Sequence, residues 1–198
     1  MRYWLPALLV AGLVAVAGYA LIQPLQTTSQ ALTTSTTTMS TQNQATGTVH
    51  QTADKPLRLN IAMDGVEFTP GSTIHLTASI QNTGTEEVSL EYFIGQLFEV
   101  IIRDGSGAPV YVHSDTGFQK YLMAAPRHLR LAPGESHTET IEITLVYSRG
   151  AEKNNPLHPG TYTLTVYLTA AVQGHPSGII DGVKAYTSAS TTLTVRPR

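Results

Sequence analysis

Between positions 57 and 195 apolar residues keep recurring at every second place, and that period restricts the chain more than any other feature. Successive side chains of an extended strand point to opposite faces, so a period of two builds a sheet with one buried and one wet face. Leu57, Leu59, Ile61 and Met63 alternate with Arg58, Asn60 and Ala62, and Ile74, Leu76, Ala78 and Ile80 alternate with Thr73, His75, Thr77, Ser79 and Gln81. Val88, Leu90 and Tyr92 continue the pattern, as do Phe98, Val100 and Ile102, then Val110 and Val112. Ile141, Ile143 and Leu145 come next, then Tyr162, Leu164, Val166 and Leu168 against Thr161, Thr163, Thr165 and Tyr167, and last Leu193 and Val195. Asn82-Thr83-Gly84, Asp104-Gly105, Pro133-Gly134 and Pro159-Gly160 punctuate these runs. Short alternating runs separated by turn residues predict an all-β fold, an antiparallel β-sandwich. Leu90, Val100, Ile143, Leu164 and Val166 are its expected core. No long amphipathic helix competes; residues 117–125 have room for one helical turn before Pro126.

The charges divide the chain. All 14 acidic residues and every basic residue but Arg2 lie at or beyond Asp54. Residues 3–22 are uncharged, and about 20 apolar residues at ~1.5 Å rise match the roughly 30 Å hydrocarbon core of a bilayer. Tyr3, Trp4 and Tyr19 stand near the ends, where aromatic rings favour the membrane interface. Two readings stay open for residues 1–22, a transmembrane signal-anchor and a signal peptide cleaved near Ala17-Gly18-Tyr19-Ala20. Both export the C-terminal bulk of the chain, because no basic residue comes after the span until Lys55. Residues 23–54 are rich in Thr, Ser and Gln and nearly free of large apolar side chains. Such a stretch cannot bury enough surface to offset the entropy of ordering it, so it is expected to be a disordered stalk, with hydroxyls of the kind that accept O-glycans. Residues 55–198 are then the folded domain, placed outside the cytoplasm, anchored or secreted.

The chemistry of catalysis and metal binding is thin. The chain has no cysteine, which removes disulfides and thiolate sites together. A net charge of -2 gives no basic footprint for nucleic acid. Seven histidines are present, but none are spaced i, i+2 or i, i+4 as a ligand pair on one element would be. His113-Ser114-Asp115 are consecutive, and alternation along a strand would turn their side chains apart. Gly105-Ser106-Gly107 is a hairpin turn, since no helix comes after it to make it a phosphate loop. No catalytic, cofactor or metal residue is therefore assigned. Pro133-Gly134 and Pro159-Gly160 supply a fixed φ and then a positive φ for tight turns at strand entries. Tyr162 is placed to make a tyrosine-corner hydrogen bond. Residues 114–127, 148–159 and 170–182 are longer than connections need to be, which marks loops of function or mobility.

Taken in order, Asn82-Thr83-Gly84, Val88-Ser89-Leu90-Glu91, Gly95-Gln96-Leu97-Phe98-Glu99-Val100, Asp104-x-x-Gly107-x-x-Val110-Tyr111, Ser114-Asp115-x-x-Phe118-Gln119, Leu131-x-Pro133-Gly134-Glu135-Ser136 and Pro159-Gly160-x-Tyr162 resemble the BsuPI family of intracellular proteinase inhibitor domains. The resemblance implies an immunoglobulin-like β-sandwich and, for the founding member, inhibition of a subtilisin-like serine proteinase. Tyr111 departs from it, standing where the family often carries tryptophan. So does an exported stalk in front of a cytosolic type of inhibitor. The expected function is non-catalytic binding of a protein partner, with proteinase inhibition its concrete form. A cell-surface structural or adhesion module, or a filament subunit, is the alternative. An inhibitor needs an extended segment carrying an apolar side chain, and among the three long loops 117–126 has large apolar residues in series: Tyr121, Leu122 and Met123. These are the candidate partner-binding residues, with burial of Leu122 and Met123 under the sandwich as the structural alternative.

Overall fold

Fifteen strands form among the residues that the computed structural model describes, which are 45–46, 48–50, 55–93, 97–116 and 125–198. The expected membrane or signal segment at 1–22 and most of the expected stalk lie outside them. Ser40–Arg198 is a compact unit in itself. In chain order the strands are β1 (Ala45–Thr46), β2 (Thr48–His50), β3 (Leu57–Met63), β4 (Glu67–Phe68), β5 (Thr73–Asn82), β6 (Val88–Tyr92), β7 (Phe98–Arg103) and β8 (Pro109–Val112). They continue with β9 (Arg127–Leu131), β10 (Ser136–Thr144), β11 (Gly160–Leu168), β12 (Ala171–Val172), β13 (Gly178–Ile180), β14 (Val183–Ala185) and β15 (Thr187–Val195). A single 3-10 turn, His113–Thr116, is the helical element among the described residues. No described helix is long and apolar enough to cross a membrane.

The two main sheets are β1-β3-β5-β10 and β2-β15-β11-β7-β8, the latter joined at one end by β4 running parallel to β15. All-β architecture with antiparallel pairing is thus as expected. β1 and β2 begin the pairing ahead of the boundary that composition placed at 55, with Ala45 opposite Met63 and Val49 opposite Ala189. Alternation in β3 is read directly in burial: Leu57, Leu59, Ile61 and Met63 are nearly inaccessible while Arg58 and Asn60 are exposed. One core joins the sheets' inner faces, including Leu90, Val100, Ile143, Leu164 and Val166, each without exposed surface. Each such aliphatic side chain gains roughly 1.5–3 kcal/mol from leaving water.

β5 and β10 pair over nine residues, from Thr73 opposite Thr144 to Gln81 opposite Ser136. Beyond that corner β6 and β9 resume the same pairing, Val88 opposite Leu131. Two long strands are therefore kinked together. β12 adds to the far side of β6, and β13 and β14 form a separate hairpin within the expected loop 170–182 and just past it. Asp181 and Gly182 turn that hairpin with φ of 49° and 82°, a pair of left-handed residues that matches strand twist.

The hairpin changes one expectation. Ile101 and Tyr167 lie in the outward register of β7 and β11, where polar neighbours pointed to water. Both are buried, with Val112 and Ala185, under Ile180 and Val183 of the β13–β14 hairpin. The outer face of this sheet thus carries a second, smaller apolar layer.

Candidate functional site

The kink holds the first group of family-like residues. Asn82 ends β5 with no exposed surface, yet its side chain is fully engaged. Its Nδ2 donates to the carbonyls of Glu86 at 2.7 Å and Leu131 at 2.9 Å, and its Oδ1 accepts from the Gly84 N–H at 2.9 Å. A buried amide left unpaired costs about 1–3 kcal/mol, so only full satisfaction makes asparagine tolerable here. Gly84 belongs to the same device, because a Cβ there would stand 2.9 Å from the Pro56 ring. Across the corner, Gly134 donates to the Asn82 carbonyl at 2.8 Å and has the positive φ, 81°, expected of the Pro133-Gly134 turn. Glu135 closes that turn twice: its N–H donates to the Ala132 carbonyl, and its Oε2 accepts from the Ala132 N–H.

Tyr162 makes the expected corner, its hydroxyl donating to the His158 carbonyl at 2.7 Å. Burial pushes the phenol up to about 12. Gly160 enters β11 directly, without the positive φ expected there. The Asp104-Gly105 turn is longer than two residues. Asp104 Oδ1 accepts from the Ser106 hydroxyl and from the N–H groups of Ser106 and Ala108, and these bonds, the Ser106 hydroxyl first, lower its pKa.

A second cluster braces the point where β8 leaves the sheet. The 3-10 turn His113–Thr116 places Asp115 against Arg149, which donates from Nε at 2.8 Å and from a terminal nitrogen at 2.6 Å. Both nitrogens converge on one carboxylate oxygen, Asp115 Oδ2, and these charge-assisted bonds are stronger than neutral ones. Ser148, buried, accepts the Val112 N–H at 2.8 Å and donates to Asp115 at 3.4 Å. Glu99 Oε1 accepts from the Ser114 and Val100 N–H groups, both at 3.1 Å. The Tyr111 hydroxyl meets His113 Nδ1 at 3.1 Å, and burial raises the tyrosine and lowers the histidine. His113, Ser114 and Asp115 are thus directed to three different sets of neighbours by a helical turn rather than by strand alternation.

These braces flank positions 117–124. The candidate partner-binding residues Tyr121, Leu122 and Met123 lie outside the described residues. Residues 148–159, expected to be functional or mobile, fold back on themselves: the Tyr147 N–H donates to the Asn155 carbonyl, the Asn154 N–H donates to the Tyr147 carbonyl, and Leu157 is fully buried. Several histidines face carboxylates, His75 with Asp64 at 2.7 Å and Glu142 at 3.8 Å, and His158 with Glu152 at 3.1 Å. Spacing along the sequence does not show these pairs, since each is made across strands or loops. Among the described residues no group of three such side chains is placed to hold a metal ion.

Two packed sheets, with β5 and β10 of one of them kinked at an asparagine corner and a loop root braced beside the other, define a β-sandwich that presents loops from a rigid frame. The sequence matches the family model described as BsuPI, intracellular proteinase inhibitor, over residues 62–173, and the chain belongs to that family. The match takes in the Asn82 corner, the Asp115 brace and Tyr162. No curated protein matches the chain. Among solved structures it is similar to a β-glucosidase from Erythrobacter marinus, at 15% identity and a TM-score of 0.41 over 77% of this chain and 15% of that one. A Listeria innocua β-glucosidase in complex with isofagomine is similar at 15% identity and a TM-score of 0.42, over 71% and 16% of the two chains. The CARDB domain of a Pyrococcus furiosus protein, in complex with di-metal ions, has 14% identity and a TM-score of 0.39 over 72% and 94%. The chain spans about a sixth of the β-glucosidases it matches.

Proposed function

We propose that this chain is a non-catalytic, immunoglobulin-like binding domain that inhibits a serine proteinase, held or released outside the cytoplasm by residues 1–22 and the adjoining stalk. Family membership over residues 62–173 is the observation that carries the reading. The geometry supports it, because the family-like residues serve the frame and not a reaction. Asn82, Glu135 and Tyr162 lock turns, while Asp115, Ser148 and Arg149 fix one end of the segment that carries Tyr121, Leu122 and Met123. An inhibitor gains affinity when its loop is ordered before the enzyme arrives, so a braced root suits the role. A subtilisin-like enzyme with an apolar specificity pocket is the partner that this loop fits.

The test pairs stability with inhibition. Leu122→Asp and Met123→Asp are introduced separately into the Ser40–Arg198 unit, and Tm and inhibition of a subtilisin-type enzyme are measured on the same samples. Lost inhibition at unchanged Tm is the expected result. Full inhibition by both variants places the contact elsewhere, and a large fall in Tm makes the segment part of the core.

The alternative, a surface structural or adhesion module, draws on one observation: β10 ends its sheet, with no strand among the described residues on its far side.

A further inference from the structure

Long sheet edges are hazards, and this molecule treats its edges unequally. β8 is short, begins with Pro109 and faces a register shift at Ile102/Arg103. β15 is covered by β2 and β4, and β3 is capped at Met63 and Ala62 by β1. β10 has nine residues, with no proline, lysine or arginine, and none of the described strands covers it. Proline, lysine, a bulge and a covering strand are among the usual blocking devices, and these are missing here, which leaves the inner-face Glu139 as the charge that a pairing strand must answer.

The backbone of β10 can be assigned a direction. Asn82 N–H donates to the Glu135 carbonyl and Leu145 N–H to the Ser72 carbonyl, at the two ends of an unbroken β5–β10 register. Hydrogen-bonded and non-bonded pairs alternate in an antiparallel ladder. His137, Glu139, Ile141 and Ile143 therefore bond to β5, while Ser136, Thr138, Thr140, Glu142 and Thr144 turn their N–H and C=O groups outward. On the inner face at this edge, His137 and Glu139 sit 3.3 Å apart with side chains 31% and 36% exposed.

We infer that β10 pairs antiparallel with β10 of a second copy of this chain, about a two-fold axis through Thr138. That register places His137 opposite Glu139 of the second copy and Glu139 opposite its His137. Thr138 faces itself, and Ser136 faces Thr140. The even-numbered pairs exchange backbone hydrogen bonds, and the His/Glu pairs fall at non-bonded positions, where cross-strand side chains come closest. A contact about a two-fold axis must be self-complementary, and an imidazole N–H donor two residues from a carboxylate acceptor on one strand meets that condition. Centring the axis on Thr140 would instead set Glu139 against Ile141, and centring it on Glu142 would oppose two carboxylates. The complementarity of imidazole and carboxylate selects both the partner and the register. The inference holds whether or not the domain inhibits a proteinase.

Sedimentation equilibrium of the Ser40–Arg198 unit, whose core is complete in itself, reads the result. A concentration-dependent dimer is expected across the micromolar range. His137→Glu opposes carboxylates across the axis, and Glu139→Lys removes the acceptor and sets an ammonium donor against the imidazole. Each should weaken the dimer by at least about tenfold, the first because like charges set face to face cost several kcal/mol and the second because the acceptor is lost. Mixing the two variants in equal amounts restores opposite charges, and native mass spectrometry should then show a mixed dimer. Thr138→Arg provides a second arm on the exposed face, away from the core, and should also give monomers at unchanged Tm. An unmutated unit that stays monomeric, a dimer insensitive to all three substitutions, or two folded variants that fail to combine would each overturn the inference.

Discussion

The outer faces of the two main sheets behave differently, although both are rich in threonine and serine. On the β3-β5-β10 face the outward residues, including Thr73, His75, Ser136, Thr138, Thr140 and Glu142, have water above them. On the β11-β7 face the outward register begins in the same way, with Thr161 and Thr163 exposed, and then closes over. Thr165 and Tyr167 are buried, as are Ile101 and Val112 on the neighbouring strands. The β13–β14 hairpin makes the difference by laying Ile180 and Val183 on that half of the sheet. An apolar residue in an outward register therefore reports a second layer of chain, and a bare threonine row reports its absence.

The reference for this contrast is the shared core, where the largest effect is expected. Leu164→Asp puts a carboxylate where no surface is exposed and should cost more than ~3 kcal/mol in urea unfolding. Thr163→Asp, one residue away on the outer face, should change stability by no more than about 0.5 kcal/mol. Equal damage from the two would invert the register of β11.

A smaller effect separates the faces themselves. Ile101→Asp points away from the main core yet enters the hairpin layer, so it should cost about 2 kcal/mol, within the range for burying a polar group in a folded protein. Thr140→Asp, on the bare face, should cost no more than about 0.5 kcal/mol. If Ile101→Asp were as mild as Thr140→Asp, the hairpin would not be seated on this sheet in solution.

The smallest effect concerns pH. Burial pushes the Tyr162 and Tyr186 phenols up to about 12 and raises Tyr167 as well. Above the ordinary value of 10.0 the unfolded chain releases these protons while the folded one keeps them. Stability should therefore fall as pH rises from 10 toward 12, since the native state binds more protons in that window. Tyr167→Phe should make the fall shallower, because the covered face contributes one of these phenols. A slope unchanged by the substitution would mean that Tyr167 titrates as it does in water, beneath an open hairpin.

The two faces also mark how far the sequence could be read. β3, β5, β6 and β10 alternate because, among the described residues, their outward side chains stay exposed or half-buried, so period and burial agree. β7 hides its second layer, since Ile101 beside Val100 and Ile102 looks like a run of apolar residues, and its cover comes from a hairpin far along the chain. The tyrosine corner was legible because Tyr162 and His158 are four residues apart. Ser148 was not. Its partners Val112 and Asp115 stand 36 and 33 residues away, and nothing in a polar loop announces a hydroxyl that will bind a strand end. The Asn82 corner was visible as a turn, but its buried amide, shared among Gly84, Glu86 and Leu131, depends on two strands bending together.

Inhibition itself is the most direct test of the functional reading. The unmutated Ser40–Arg198 unit is titrated into a fixed amount of a subtilisin-type endopeptidase, and residual activity on a small chromogenic substrate is measured. The expected result is a linear fall to near zero at about one equivalent, with the sandwich recovered uncut. Undiminished activity in the presence of excess folded unit, or steady digestion of the sandwich as a substrate, would contradict proteinase inhibition and leave a binding frame without that use.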